Sequence, residues 1–409
     1  MDMNQYKEDI AFLKIDSTIE GFVDYYNHRQ NFNSTDGDTE ENNQIDKDLI
    51  LSLIDKHFKP IPIFSYPKLI RLNKMNSSKQ RIVFVFPEQE QLLLKYLNYA
   101  INMIDLDIHP HCISFQRGRR ISQAVSLLRK KNLDAYACIK IDICDYFNSI
   151  DTSDLSWLPD SLREHQYIFS FIKFLLAREE VYDKNQLVRC ERRGVMAGIP
   201  IAPTLSNLYL RTFDAQMSDY YPAYVRYSDD MLIFCDLQDI QGTFAQIEHA
   251  LNIRGLQINR QKTVIYDPGA GYEFLGLRIS KESVDLSEST IRKMKDKIKR
   301  QARTLYRWRL RNHVELSKTI ALMNRKFNRK FYGAGSTGNE FTWSKYFFSV
   351  ITVDDGLRRI DQYYQETIRS IATGRYNKSN YRRIPYTMLK ETGYRPLLSE
   401  YYRRFDPIK

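Results

Sequence analysis

Long hydrophobic runs are missing from this chain of 409 residues. No stretch approaches the ~18 uninterrupted apolar residues of a membrane span. The best one, Ile168 to Ala177, is short and contains Lys173. The first 20 residues alternate charged and apolar side chains, so they lack the basic, apolar and small-residue zones of a signal peptide. Cysteine is scarce: Cys112, Cys138, Cys144, Cys190 and Cys235 are odd in number, scattered, and form no CxxC pair. That pattern argues against a disulfide framework or zinc ribbon and makes a reducing cytoplasm the expected home. Acidic charge is also in deficit, with 50 Asp and Glu against 61 Lys and Arg. Hydrophobe is not. At 43% apolar and 27% charged residues, a largely disordered chain is excluded, and the length suits two or three structural regions.

The excess of +11 is concentrated. Residues 291–331 hold 15 basic and two acidic side chains (Asp296 and Glu315), a local net of +13 that leaves the rest near neutral. Such a block suits a polyanionic partner or, more blandly, a solvated basic helix. Periodicity predicts an amphipathic helix through about His28, a polar acidic linker near 33–44, and a helix from Ile45 to Phe58 broken by Pro60 and Pro62. Strands are expected at 81–86 and from Ala135 to Ile143, and a long helix from about Asp160 to Glu180. After them come a strand or hairpin arm at Val181–Cys190, a helix from about Pro203 to Ser218, and a hairpin over Tyr224–Phe234. A helix at Phe244–Arg254 and short strands near Leu256–Tyr266 and Glu273–Ile279 follow, and helix dominates from Ser289. The expected fold class is α+β, with a basic α-helical C-terminal region.

Three carboxylates interrupt strands that otherwise want burial. Asp142 lies in Cys138-Ile-Lys-Ile-Asp-Ile-Cys-Asp-Tyr-Phe147, and Asp229 and Asp230 lie in Tyr224-Val-Arg-Tyr-Ser-Asp-Asp-Met-Leu-Ile-Phe234. Acids are depleted in strands and costly when buried unpaired. A divalent cation with hard oxygen ligands, magnesium above all, would compensate them. With Asp142 near the pair, two ions ~3.5–4 Å apart could clamp an in-line phosphoryl displacement. A solvent-exposed Ser-Asp-Asp turn is the plainer reading of the pair alone.

Tyr227-Ser228-Asp229-Asp230 between apolar strands resembles the Tyr-x-Asp-Asp motif of reverse transcriptases, and Asp142 with Phe147 resembles their upstream palm motif. Gly194-Val-Met-Ala-Gly-Ile-Pro-Ile-Ala-Pro-Thr-Leu-Ser-Asn207 is similar to the Gly-Leu-Pro-Gln-Gly-x-Pro…Pro-x-Leu-x-Asn segment of the bacterial members. Lys79-Gln-Arg-Ile82 and Ser114-Phe-Gln-Arg-Gly-Arg119 resemble fingers motifs, Lys262 a palm lysine, and Glu273-Phe-Leu-Gly276 the primer-gripping hairpin. The order and spacing hold over about residues 66–280. The resemblance implies a right-hand polymerase: a helical extension at 1–60, fingers and palm at 61–284, and a thumb and C-terminal region at 285–409.

It further implies RNA-directed DNA polymerisation with two Mg²⁺ ions, or Mn²⁺ in their place. Asp142, Asp229 and the Ile143 carbonyl would be ligands, with Asp230 at the edge of the catalytic cluster. Lys79, Arg81, Phe147, Gly198, Pro200 and Lys262 would meet the nucleotide, Phe147 excluding a 2′-hydroxyl. Tyr227, Phe274, Leu275, Gly276, Arg292, Lys295, Lys299 and Arg303 would meet primer and template, the last four as a basic stripe opposite Ile291, Met294, Ile298 and Leu305. Partners would be an RNA, a non-coding template, with DNA product, deoxynucleotides and no membrane; a second copy or a partner protein are further candidates. Ala197 replaces the usual glutamine. No clustered His and Cys follow the thumb, and no retron signature lies between palm and thumb. The nearest likeness is then to phage-defence and abortive-infection enzymes. His109-Pro-His111-Cys112 reads as structural. The aromatic residues Tyr306, Trp308, Trp343, Tyr346, Phe347 and Phe348 read as helix core rather than base-stacking platforms. Rival readings are untemplated or protein-primed synthesis, the latter from one of 28 tyrosines, and a non-catalytic RNA-binding scaffold.

Overall fold

The computed structural model of the chain describes residues 2–30, 44–73, 80–116, 118–130, 132–190, 194–333 and 342–403. Two compact units divide it: Met1–Ala124 with Ala135–Asp267, and Val125–Asp134 with Pro268–Lys409.

The first unit opens with α1 (Met3–Leu13), α2 (Asp16–Gln30) and α3 (Lys47–His57). Next come β1 (Lys68–Asn73), β2 (Gln80–Val85), α4 (Glu88–Ile101) and α5 (Ile121–Lys130), whose later residues belong to the second unit. Then follow β3 (Ala137–Asp142), α6 (Tyr146–Ser149), α7 (Asp160–Arg163), α8 (Gln166–Ala177), β4 (Glu180–Asp183) and β5 (Gln186–Arg189). The helices α9 (Ala202–Tyr209) and α10 (Arg211–Tyr220) precede β6 (Ala223–Tyr227), β7 (Asp230–Cys235), α11 (Ile240–Asn252) and β8 (Val264–Tyr266).

Two sheets organise this unit. One has the order β2-β1-β4-β5; the other, β6-β7-β3-β8, is antiparallel throughout. Strand alternation explains why β3 carries charge. Ile139 and Ile141 enter the core, whereas Lys140 and Asp142, two residues apart, share the opposite, half-buried face. The core beneath joins these isoleucines to leucines of α4 and α9 and to Phe171 and Leu175 of α8. Asp9 of α1 accepts from Tyr167 N at 2.7 Å and lies 2.7 Å from His165 Nδ1, so the first helix caps α8.

The second unit has a small sheet, β9 (Tyr272–Phe274), β10 (Leu277–Ile279) and β11 (Val284–Leu286), in the order β11-β10-β9. Helices α12 (Glu288–Arg311), α13 (Leu316–Tyr332), α14 (Trp343–Phe348) and α15 (Asp355–Arg369) follow. The short helices α16 (Asn380–Arg383), α17 (Tyr386–Glu391) and α18 (Leu397–Arg403) complete it. Ser287 caps α12 by accepting from Thr290 N at 3.2 Å, and Ile291, Met294, Ile298, Ala302 and Leu305 form its buried stripe. Phe347 and Phe348 are buried, and the Trp343 ring lies 4.7 Å from that of Phe347, so these aromatics are core. Trp308 is 38% exposed.

Three expected helices are each two. The first breaks at Lys14, whose N–H turns back to the Ala11 carbonyl, and restarts at Asp16. The second breaks at Glu164-His165, where Asp9 caps the new start. The third breaks at Leu210, whose φ of −99° and ψ of 9° leave the helical region. The sequence reading omits β1, and the strand near 256–266 reduces to β8 plus an isolated bridge between Ile143 and Ile258. The acidic linker falls largely on residues 31–43, outside the described residues. Among the described residues no helix is long and apolar enough to cross a membrane.

Candidate active site

Register brings the three acids together. Antiparallel pairing of β3 with β7 sets Asp142 opposite Asp230, and Ile143 N donates to Asp229 O at 3.1 Å. The β6–β7 connection is the two-residue turn Ser228-Asp229, with φ of 60° at Ser228. A positive φ at the first turn position matches strand twist, although it strains a residue other than glycine.

A buried polar network holds that turn. Arg226, 0% exposed, pairs with Asp214 of α10 at 2.6 and 2.7 Å, and the same carboxylate accepts from Tyr224 Oη at 2.6 Å. Arg226 Nη1 donates to Ser228 O at 3.1 Å, and Nη2 donates also to Asn207 O at 3.3 Å. Ser114 Oγ accepts from Ser228 N at 3.0 Å and donates to Asn207 Oδ1 at 2.9 Å. Both main-chain polar groups of Ser228 are thus satisfied from below. The sequence reading quotes Ser114, Asn207 and Arg226 inside motifs but gives them no role, and it omits Asp214.

Each acid on the other side of the turn meets a different environment. Asp142 accepts from Lys262 Nζ at 2.8 and 2.9 Å and from Asn259 Nδ2 at 3.0 Å. Lys140 Nζ lies 3.4 Å from Asp230 Oδ2, while Asp230 Oδ1 is buried without a hydrogen-bond partner. Burial pushes the Asp230 carboxyl up to about 6; Lys140 opposes that rise, and the charges of Asp229 and Asp142 add to it. Asp229 is raised too, by burial and then by Asp142, while Lys262 and Arg81 hold it down. The sequence reading places Lys140 in its strand without a role, and it omits Asn259. Lys140 was legible, because it stands two residues before Asp142 on one strand face.

Among the described residues no three His, Cys, Asp or Glu side chains stand as a ready-made metal cluster. His109 and His111 pack ring to ring, and His111 Nδ1 meets Ser218 Oγ at 2.9 Å. For the acidic trio the chemistry nevertheless fits a hard divalent cation: carboxylate oxygens only, one of them buried and unpartnered, with mutual repulsion that the two lysines relieve only in part.

Around the trio, Phe147 is half-buried against the core, and its carbonyl accepts from Val195 N at 2.9 Å. A Cβ on Gly194 would stand 2.1 Å from that carbonyl, so only glycine admits the approach. The loop continues to β2: Phe84 N donates to Ala197 O at 2.7 Å, and Gln91 Nε2 donates to Gly198 O at 3.2 Å. Gly198 is exposed and Pro200 half-buried. Arg81 is exposed on β2, close enough for its charge to act on Asp229; Lys79 lies outside the described residues. Tyr227 is half-buried with its ring 5.7 Å from Phe115.

The remaining predicted residues belong to the second unit. Phe274 is buried, and Leu275-Gly276 form the β9–β10 turn. Arg292 and Arg303 are exposed on α12 and Lys299 is half-buried, whereas Lys295 turns its ammonium over the Tyr363 ring at 5.3 Å.

No curated protein matches the chain. Among solved structures it is similar to telomerase from Candida albicans in complex with a TWJ fragment of telomeric RNA, at 13% identity and a TM-score of 0.40, covering 80% of this chain and 63% of that one. It is similar also to apo telomerase from Candida tropicalis, at 13% identity and a TM-score of 0.42, covering 80% and 58%. The chain thus spans about three-fifths of the length of these telomerases. Residues 72–279, just over half of the chain and including all three acids, match the family described as reverse transcriptase (RNA-dependent DNA polymerase), and the chain belongs to that family.

Proposed function

We propose that the chain is an RNA-directed DNA polymerase. The observation that carries this reading is the convergence of Asp142, Asp229 and Asp230 at one end of β3 and β7, with Asp229 and Asp230 raised by burial and by the charge of neighbouring acids. Asp142, Asp229 and the Ile143 carbonyl would hold two magnesium ions, or manganese in their place, with Asp230 beside them. Bound there, the ions supply charge neutralisation at the transferring phosphoryl group. The primer 3′-hydroxyl attacks the α-phosphate of a deoxynucleotide, the bond to the β-phosphate oxygen breaks, and pyrophosphate leaves. Arg81, with Lys79, binds the triphosphate, and Gly198 and Pro200 shape the surface under the nascent pair. Lys262 serves the departing pyrophosphate as acid or counter-charge, and the flat Phe147 ring leaves a 2′-hydroxyl neither room nor partner.

Residues 285–409 then act as thumb and C-terminal region, with Arg292, Lys295, Lys299 and Arg303 on phosphates and Tyr227 and Phe274–Gly276 toward the primer. The motif set supports a place beside bacterial phage-defence enzymes, cytoplasmic and copying a dedicated non-coding RNA. Ala197 favours one second reading, untemplated synthesis, because its methyl offers no amide to the nucleotide while its carbonyl is taken by Phe84 N.

Incorporation of labelled nucleotides by the purified chain, with its co-purifying nucleic acid and magnesium, tests this. Deoxynucleotide product that is lost on RNase pretreatment is expected. Product that survives RNase supports untemplated synthesis, and none with either sugar supports the scaffold. Asp229→Ala should lower incorporation by on the order of 10³-fold or more, with an unchanged circular dichroism spectrum. Equal activity in the folded variant would overturn the assigned site. Phe147→Ala should admit ribonucleotides, lowering sugar discrimination by roughly 10–200-fold; unchanged discrimination removes the gate.

A further inference from the structure

Outside the family-matched residues, the second unit carries a surface of a different kind. From Thr373 to Lys390 the chain has no acidic residue and five basic ones: Arg375, Lys378, Arg382, Arg383 and Lys390. Four other arginines of this unit are answered by carboxylates: Arg358 by Asp354, Arg359 by Glu288, and Arg395 and Arg403 by Glu400. Among the described residues none of the five cations of this stretch has such a partner. An uncompensated cationic cluster is the footprint of an anionic ligand.

Three tyrosines, spaced five residues apart, punctuate the cations. Tyr376 is 55% exposed, Tyr381 50% and Tyr386 41%. Their backbone is anchored. Asn380, Ile384 and Leu389 are buried, Asn380 Nδ2 donates to Arg375 O at 2.8 Å, and Arg369 Nε donates to Ile384 O at 3.0 Å. The rings are also steadied from one side: the Arg369 guanidinium lies 4.4 Å from the Tyr381 centroid, Lys390 Nζ 5.2 Å from that of Tyr386, and Tyr376 Oη 3.1 Å from Thr367 Oγ1. Held rings lose little freedom on stacking, which is what a base-stacking platform requires. Paired bases in a duplex hide their faces. Unpaired bases present both a face to each ring and a phosphate to each neighbouring cation.

We propose that residues 375–390 form a binding surface for single-stranded nucleic acid, with Tyr376, Tyr381 and Tyr386 stacking bases and Arg375, Lys378, Arg382 and Arg383 holding phosphates. Binding here needs no turnover, so its failure is separable from failure of the polymerase reading.

The test is fluorescence anisotropy of the full chain with labelled oligo-U, oligo-dT and a blunt duplex of about twenty nucleotides, over a range of salt. Tyr386→Ala should weaken both single strands about tenfold and leave the duplex unchanged, with Tyr386→Trp restoring affinity. Replacing Arg375, Lys378, Arg382 and Arg383 by glutamine should flatten the salt dependence for single strands by about three in log–log slope. Equal loss for oligo-U and oligo-dT assigns the surface to either strand, and a larger loss for oligo-U assigns it to RNA. Unchanged single-strand affinity in both variants overturns the proposal. So does a Tyr386→Ala loss shared equally by the duplex, which would mean cationic contact without stacking.

Discussion

Two of the hairpins that turn on two residues, β6–β7 and β9–β10, bear their strain in opposite ways. In the β6–β7 turn the left-handed residue is Ser228, at a φ of 60°. Its N–H and carbonyl are taken by Ser114 Oγ and by the buried guanidinium of Arg226. In the β9–β10 turn both residues are left-handed, Leu275 at 51° and Gly276 at 82°. Their carbonyls accept from neutral donors: Tyr346 Oη at 3.2 Å, Thr290 Oγ1 at 2.9 Å and Ser287 N at 2.9 Å. One turn is braced by a buried ion pair; the other by close approach of a helix to a residue without a side chain. The first arrangement holds a turn that carries a partly buried carboxylate. The second holds main chain only. Charge in the brace goes with charge in the turn.

Breaking the charged brace should have the larger effect. Arg226→Met leaves Asp214 buried with only the Tyr224 hydroxyl and frees the Ser228 carbonyl. A loss of about 3–5 kcal/mol is expected, read as a fall in urea midpoint. Adding Asp214→Leu should recover most of it, since an apolar pair of similar volume replaces a buried ion pair at little cost. A single variant as stable as the parent would show that the network is not the brace.

The carboxylates give the next effect through pH. Asp230 has its folded pKa raised from 3.8 to about 6, so the folded state holds a proton that the unfolded state has released. Its stabilising share is complete below the unfolded value and is lost as pH rises through about 6. With divalent cations chelated, stability should therefore fall across pH 4 to 6, by on the order of 2–3 kcal/mol from this group. Asp230→Asn should flatten that slope. A parallel slope in the variant would place the titration elsewhere.

How much of this was legible follows from what kind of signal each feature leaves. Asp142, Asp229 and Asp230 announce themselves as acids inside apolar strands, and alternation alone puts Lys140 on the face of Asp142. Arg226 alternates inward as well, but nothing in its spacing names Asp214, twelve residues back on a helix, as its partner. Only the packing of α10 on β6 makes that pair. The ligation of Asp142 by Lys262 and Asn259 likewise depends on the chain returning beside β3, 117 and 120 residues later. Broken helices escaped because periodicity persists across a one- or two-residue turn: Leu13 and Ile19 are both buried, although the helix stops between them. The α12 stripe, by contrast, was fully legible, since one uninterrupted helix obeys one period.

The neutral brace should be disturbed least, and more locally. A Cβ on Gly276 would lie 2.7 Å from Thr290 Oγ1 and 3.3 Å from the Phe347 ring, in a backbone region that L side chains avoid. Gly276→Ala thus meets two costs, about 1–2 kcal/mol for the left-handed conformation and a further share for displacing a hydroxyl that bonds the turn. Hydrogen exchange should report it as faster exchange in β9, β10 and the first turn of α12, with β6 and β7 unaltered. Thr290→Ala in the same chain separates the costs, because it removes the contact and keeps the strain. If the double variant regains parental protection, helix approach is what glycine serves at this turn; if it stays as fast as Gly276→Ala alone, the backbone angle is, and the two hairpins then differ in brace but not in the origin of their strain.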